Sequence, residues 1–158
     1  MIDNYLGILE DSLRKKIAVL DEINVYNNAQ EELLKQNNIS LDELDKNMDQ
    51  KDMLIQKLTQ LDEGFESLYG KVKDQLSADR DSYRDQIKTL QELIVSVTEK
   101  SVSIQAQEAR NKKLIEDFFS KERGQLHQGR KASKAAYGYY KSMSNSNVVP
   151  SQFMDQKK

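Results

Sequence analysis

The sequence predicts an all-α protein, an up-down-up antiparallel bundle of three long helices that pack in the manner of a coiled coil. Apolar residues recur at spacings of three and four along three successive segments, which is the period of an amphipathic helix. No segment shows the period-two alternation of a half-buried strand. The two connections are short, so consecutive helices are expected to lie antiparallel, side by side. Charged residues make up 32% of the chain and hydrophobic residues 37%, a balance typical of long exposed helices with a small interior.

The first helix is predicted over about residues 3–36. Its apolar positions form one stripe, which is interrupted near Asn27 and Asn28 and ends before Asn37 and Asn38. The stripe consists of Leu6, Leu9, Leu13, Ile17, Leu20, Ile23, Leu33 and Leu34.

The second helix is predicted over about residues 41–76 and has the clearest start signal in the chain. Ser40 and Glu43 form an S-x-x-E capping box, in which each side chain satisfies a free backbone N–H. Ile39 and Leu44 occupy the positions of a hydrophobic staple, which sets the direction of entry into the helix. The stripe consists of Leu41, Leu44, Met48, Ile55, Leu58, Leu61, Phe65, Leu68, Val72 and Leu76.

The third helix is predicted over about residues 80–119 or slightly beyond. Its stripe alternates steps of four and three through Tyr83, Ile87, Leu90, Ile94 and Val97, and continues at Ile104. A helix that starts near Arg80 and rises about 1.5 Å per residue reaches the far end of its partners near residue 114. Four large apolar residues are therefore expected to overhang the bundle, unless a folded-back tail covers them: Leu114, Ile115, Phe118 and Phe119.

The bundle is expected to span residues 1–119, and the remaining tail, 120–158, differs from it in charge. Residues 121–158 carry eight Lys or Arg and two acidic residues, a net charge of +6, so residues 1–120 carry −8. We predict a flexible or conditionally helical tail that folds on a partner, because it places large apolar side chains among polar ones. Those side chains include Leu126, Tyr137, Tyr139, Tyr140, Phe153 and Met154.

The composition argues against catalysis and against a bound metal or cofactor. The chain has no cysteine, so disulfides and thiolate metal sites are excluded, and its single histidine, His127, has no carboxylate at a suitable helical spacing. No catalytic residue, metal ligand or cofactor is predicted. There is no signal peptide pattern and no run of about 18 apolar residues, so we expect a cytoplasmic protein without an integral membrane segment.

Two stretches of the sequence carry a resemblance to a known family. The second helix contains Lys51-x3-Ile55-x2-Leu58-x2-Leu61, and the third ends in Asn111-x2-Leu114-Ile115. Together with the tyrosine cluster and the ending 153–158, this arrangement resembles the FlgN-type flagellar export chaperones over nearly the whole chain. Many members carry two asparagines four residues apart before the Leu-Ile pair; here Asn111 matches the second, and Gln107 stands at the first.

The resemblance implies a cytosolic chaperone of the flagellar type III export apparatus. Such chaperones bind the C-terminal helical region of hook-associated (hook–filament junction) proteins, prevent premature assembly and deliver these clients to the export gate. In the family a C-terminal tyrosine is linked to docking at the gate, and the candidates here are Tyr137, Tyr139 and Tyr140. We expect a monomer or weak homo-oligomer. The predicted partner-binding residues are Asn111, Leu114, Ile115, Phe118, Phe119, Leu126, Tyr137, Tyr139, Tyr140, Phe153 and Met154.

Two other functions compete with this interpretation. The regular heptad over 83–97 is also typical of a structural coiled-coil protein that associates with itself. The basic tail suggests a binder of nucleic acid or of an anionic surface, whose affinity would fall steeply with salt. The acidic bundle and the wide spread of the basic residues argue against nucleic acid, since a specific binder presents a basic face on a folded module.

Overall fold

A computed structural model describes residues 2–121 of the chain, which form three long helices. These are α1 (Ile2–Leu34), α2 (Leu41–Ala78) and α3 (Arg84–Lys121), and a short 3-10 helix, Arg80–Tyr83, precedes α3. No strand occurs within the described part of the chain. The prediction of an all-α bundle is confirmed. The predicted tail lies outside the described residues from position 122 onward.

Side-chain contacts between the helices establish the up-down-up order. Asn47 of α2 donates a hydrogen bond to the carbonyl of Tyr26 in α1, while Lys16 of α1 pairs with Asp62 further along α2, so these two helices run antiparallel. The Asp21 carboxylate of α1 lies 2.7 Å from the ammonium group of Lys100 in α3. Further along both helices, Gln107 contacts Asn24 and Asn111 contacts Asn27, so α1 and α3 run parallel.

The connection between α1 and α2 confirms the predicted start signal. The Ser40 hydroxyl accepts a hydrogen bond from the backbone N–H of Glu43 at 3.3 Å, and Ile39 packs on the same apolar cluster as Leu44. An N-cap of this kind contributes about 1 kcal/mol to helix stability. α1 ends at Leu34, about two residues before the predicted end.

The connection between α2 and α3 differs from the predicted one. A single helix was expected from about residue 80, but residues 80–83 form a 3-10 turn and α3 begins at Arg84. The Ser82 hydroxyl donates to the Asp79 carboxylate at 2.8 Å, and the Arg84 guanidinium pairs with Asp81 at 3.0 Å. These local bonds favour a tight turn over an early helix start, because they occupy the acidic side chains that would otherwise cap α3.

The apolar interior is divided into two clusters. The first cluster fills most of the bundle and contains 17 buried residues, from Leu6 to Ile23 in α1, Ile55 to Leu76 in α2 and Ile87 to Ile104 in α3. The second cluster lies at the end of the bundle where α3 terminates. It consists of buried Leu34, Leu44, Met48, Ile115 and Phe119, with Ile39, Leu41, Leu114 and Phe118 packed against them and half-buried.

The expectation that the last turns of α3 overhang the bundle is wrong. Ile115 and Phe119 are only 1% and 4% exposed, because they pack against Leu34 at the end of α1 and Leu44 at the start of α2. The physical reason is that the end of α1 and the start of α2 reach the height of these last turns, since Ile115 and Phe119 share one buried cluster with Leu34, Leu44 and Met48.

Candidate functional site

A layer of buried polar side chains separates the two apolar clusters. It draws residues from all three helices at one height along the bundle axis. Its buried members are Asn27 and Gln30 of α1, Asn47 and Lys51 of α2, and Glu108 and Asn111 of α3, and half-buried Gln107 lies at its edge.

Lys51 and Glu108 form a buried ion pair within this polar layer. The ammonium nitrogen of Lys51 lies 2.5 Å from Oε1 of Glu108 and donates a hydrogen bond to Gln30 Oε1 at 3.1 Å. Burial lowers the pKa of Lys51 from its ordinary value, and the neighbouring Glu108 carboxylate opposes that shift. Such a pair adds little net stability because both charges lose their hydration, but it disfavours any register that separates them.

Asn111 and Gln107 join α3 to α1 through amide hydrogen bonds. The Asn111 side-chain nitrogen donates to the carbonyl of Asn27 at 2.9 Å and to Gln30 Oε1 at 3.0 Å. The side-chain nitrogen of Gln107 donates to Asn24 Oδ1 at 2.6 Å, and its oxygen accepts from Asn27 at 3.2 Å. Asn111, which matches the family pattern, and Gln107, which stands where many members have asparagine, therefore both hold α3 against α1 inside the bundle.

Two of the predicted binding residues on α3 form an accessible apolar edge. Leu114 and Phe118 are half-buried and pack against the second cluster, as do half-buried Ile39 and Leu41. Phe118 also packs edge-on against the ring of buried Phe119, with 4.9 Å between ring centroids. We call these four half-buried residues the apolar edge.

The structure thus divides the predicted binding residues into three groups. Leu114 and Phe118 lie in the apolar edge, whereas Asn111, Ile115 and Phe119 are buried directly behind it. The remaining six lie outside the described residues: Leu126, Tyr137, Tyr139, Tyr140, Phe153 and Met154.

A groove between α1 and α2 at the same end was not predicted. It encloses about 430 Å³, and its lining includes Tyr26, Glu32, Leu33, Glu43, Lys46 and Asn47. We call it the α1–α2 groove. A larger cleft of about 1090 Å³ lies at the opposite end of the bundle beside the 3-10 turn, where charged side chains such as Arg80, Arg84 and Lys88 line it.

The polar layer was also missed, although the sequence contains a signal for it. The apolar stripes continue in steps of three and four through polar residues, from Ile23 through Asn27 and Gln30 to Leu34 in α1. The same occurs in α3 from Ile104 through Glu108 and Asn111 to Ile115. Stripe positions filled by polar residues in several helices indicate a buried polar layer, provided that the helices align there.

The described residues contain no cluster suited to a metal ion. Residues 2–121 bring no three His, Cys, Asp or Glu side chains together in a way that could hold one. Within the same residues, none of the helices combines the length and the apolar character that crossing a membrane requires.

These features define a helical-bundle protein with a polar core layer and an apolar edge at one end. A family model described as FlgN protein matches residues 1–145, so the chain belongs to the FlgN family, a family of flagellar export chaperones. The family resemblance seen in the sequence is confirmed. No curated protein matches the chain, and no solved structure matches it either.

Proposed function

We propose that this chain is a cytoplasmic export chaperone for hook–filament junction proteins. It binds the C-terminal helical region of these clients, prevents them from assembling prematurely and delivers them to the flagellar export gate. It is a binding protein without catalytic activity. Membership of the FlgN family supports the role in flagellar export, and the apolar edge supplies a surface on which a client helix can pack.

The apolar edge is the observation that carries this proposal. A client segment that later packs into a helical filament has an apolar face that must stay covered until export. Leu114 and Phe118 are half-buried and pack against a cluster that contains buried Ile115 and Phe119. A surface of this kind suits an amphipathic helix, whose apolar residues pack against the edge while its polar face stays in water.

The predicted binding residues then have different roles. Leu114 and Phe118 contact the client, whereas Asn111, Ile115 and Phe119 hold the last turns of α3 in place behind them. Leu126, Phe153 and Met154 add apolar contact area from the tail. Tyr137, Tyr139 and Tyr140 provide the contact with the export gate, because tyrosine combines a large apolar ring with a hydrogen-bonding hydroxyl.

Calorimetric titration of the full-length chain with a peptide from the C-terminal helical region of a client tests the proposal. Leu114→Ala removes apolar surface from the apolar edge. Full burial of a leucine side chain contributes about 1.5–3 kcal/mol. Leu114 is already half-buried, so client binding adds about half of that burial. Because about 1.4 kcal/mol corresponds to a tenfold change in affinity, we expect Leu114→Ala to weaken binding about three- to tenfold.

Leu93→Ala is the matched control. Leu93 is also a half-buried leucine of α3, but it packs against the first cluster, away from the apolar edge. We expect it to leave the client affinity unchanged. Equal affinities for the wild-type chain and Leu114→Ala, or equal losses in both variants, would show that the apolar edge is not the client site.

A further inference from the structure

We propose that, while neither client nor export gate is bound, the α1–α2 groove binds the chain's own basic, tyrosine-containing segment, residues 123–141. Three properties of the groove point to an occupant that is apolar, cationic and rich in hydrogen-bond donors. These properties are its apolar floor, an unsatisfied buried acceptor and an acidic surround.

The floor of the groove offers apolar contact. Half-buried Tyr26 and Leu33 line it from α1, and it encloses about 430 Å³. That volume falls within the range of pockets that hold small ligands, roughly 300–1,000 Å³. A large side chain such as tyrosine or leucine that lies in this open groove would cover part of its apolar floor.

Asn47 supplies the unsatisfied acceptor. This residue lines the groove, is 7% exposed and donates its side-chain nitrogen to the carbonyl of Tyr26 at 2.9 Å. Its side-chain oxygen is buried and accepts no hydrogen bond from the described residues. A buried acceptor left in this state costs about 1–3 kcal/mol, which a donor from an occupant would recover once the Asn47 amide turns toward the groove. Tyrosine hydroxyls and lysine ammonium groups are such donors.

The charge around the groove selects a cationic occupant. Exposed Glu32 and Glu43 line it, and residues 42–52 carry five acidic side chains against exposed Lys46 and the buried, already paired Lys51. The last turns of α3 have the opposite balance. Residues 109–121 carry four Lys or Arg and two acidic residues, a net charge of +2.

The segment 123–141 complements this pattern. It contains five Lys or Arg and no acidic residue, and it places Leu126 and three tyrosines among those cations. Electrostatic attraction therefore directs it toward the α1–α2 side of the bundle and away from the basic end of α3.

The position of the chain end makes this contact reachable. α3 ends at Lys121, and Phe119 packs with Leu34 and Leu44, which are sequence neighbours of groove residues Leu33 and Glu43. The sixteen peptide links from Lys121 to Tyr137 span up to about 50 Å when extended. A short tether also holds the segment at an effective concentration of order millimolar, so weak contacts suffice.

Paramagnetic broadening in the full-length chain tests the proposal. The chain has no cysteine, so Ser133→Cys provides a unique site for a nitroxide label within the segment. We expect the label to broaden the backbone amide signals of Leu33 and Lys46 in the groove selectively. The amides of exposed Lys113 and Asp117 on α3, at the same end of the bundle, should be affected far less.

Neutralising the groove should abolish this selectivity. Glu32→Gln with Glu43→Gln removes both acidic lining charges, and glutamine preserves the capping box at residue 43. The matched control is Glu63→Gln with Glu66→Gln, which also removes two negative charges, at exposed sites elsewhere on α2. We expect loss of groove broadening in the first variant, and also in 1 M salt, where the Debye length is about 3 Å. The control should behave like the wild-type chain.

Three results would overturn the proposal. The first is broadening that spreads evenly over the bundle, or groove broadening that the substitutions at Glu32 and Glu43 leave unchanged. The second is groove broadening when a label on one copy acts on an isotope-labelled, nitroxide-free copy, which would assign the groove to a second molecule of the chain. The third is a groove that the label leaves unperturbed but whose amide signals shift when a client peptide is added, which would assign it to the client.

Discussion

The buried ion pair in the polar layer makes a quantitative test of the core possible. Lys51→Met removes the ammonium group while keeping a long apolar side chain of similar length. Glu108, which is 3% exposed, then loses the cation 2.5 Å from its Oε1. Breaking a buried pair in this way costs about 3–5 kcal/mol, because it leaves an uncompensated charge in the interior. Gln30 keeps a partner, since its oxygen also accepts from Asn111 at 3.0 Å.

The double variant Lys51→Met/Glu108→Leu should behave in the opposite way. It removes both charges and leaves apolar side chains between the two clusters, a change expected to be neutral or to stabilise the bundle by about 1–4 kcal/mol. Urea unfolding of the full-length chain at neutral pH, followed by circular dichroism, gives the free energy of unfolding for each variant and hence the coupling energy.

Lys100→Met provides the control for this cycle. It removes the ammonium group from the ion pair of Lys100 with Asp21. The side chains of Lys100 and Asp21 are 38% and 57% exposed, so the substitution should lower the free energy of unfolding by about 0–1 kcal/mol. A Lys51→Met cost below 1 kcal/mol would refute the assignment of Lys51 and Glu108 as a coupled buried pair. So would a double variant as unstable as the sum of the single changes Lys51→Met and Glu108→Leu.

Two further predictions concern pH and local opening. Because burial lowers the pKa of Lys51 below 10.5, the folded chain releases this proton before the unfolded chain does. Urea titrations at several pH values give the difference in free energy of unfolding between the wild-type chain and Lys51→Met/Glu108→Leu. This difference should rise as the pH increases from the lowered pKa of Lys51 to 10.5, and a flat or falling difference would contradict the prediction. The second cluster has five buried apolar residues and the first has 17, so the second should open more readily. Native-state hydrogen exchange should therefore show faster exchange for the amides of residues 113–119 than for those of 90–97, and equal protection would contradict a division of the core.

Local patterns in the sequence were sufficient to predict the helices. A period of three to four residues selects one face of a helix wherever it occurs, and Ser40 with Glu43 marks a helix start through contacts within one turn. The turn before α3 was predicted less well. A helix was expected from about residue 80, but the side chains of Asp79 and Asp81 bond to Ser82 and Arg84 around a 3-10 turn, and α3 begins at Arg84.

The candidate site depended more strongly on the tertiary structure. From the sequence, the last apolar residues of α3 were treated as one overhanging group. The structure separates half-buried Leu114 and Phe118 from buried Ile115 and Phe119. Periodicity places a residue on a face of its helix, but which neighbour covers that face depends on how far each helix extends along the others.

The sequence by itself determined that the chain forms three amphipathic helices, that it has an acidic body with a basic end, and that it resembles the FlgN family. Only the tertiary structure decided that polar residues of all three helices lie in one layer, and that Lys51 and Glu108 form an ion pair there. It also decided that the end of α3 is packed on one side and accessible on the other. The reason is that helix formation depends on neighbours within a few residues in the chain. The relative height of helices depends on the lengths and shapes of turns such as Arg80–Tyr83, and on contacts between residues far apart in sequence.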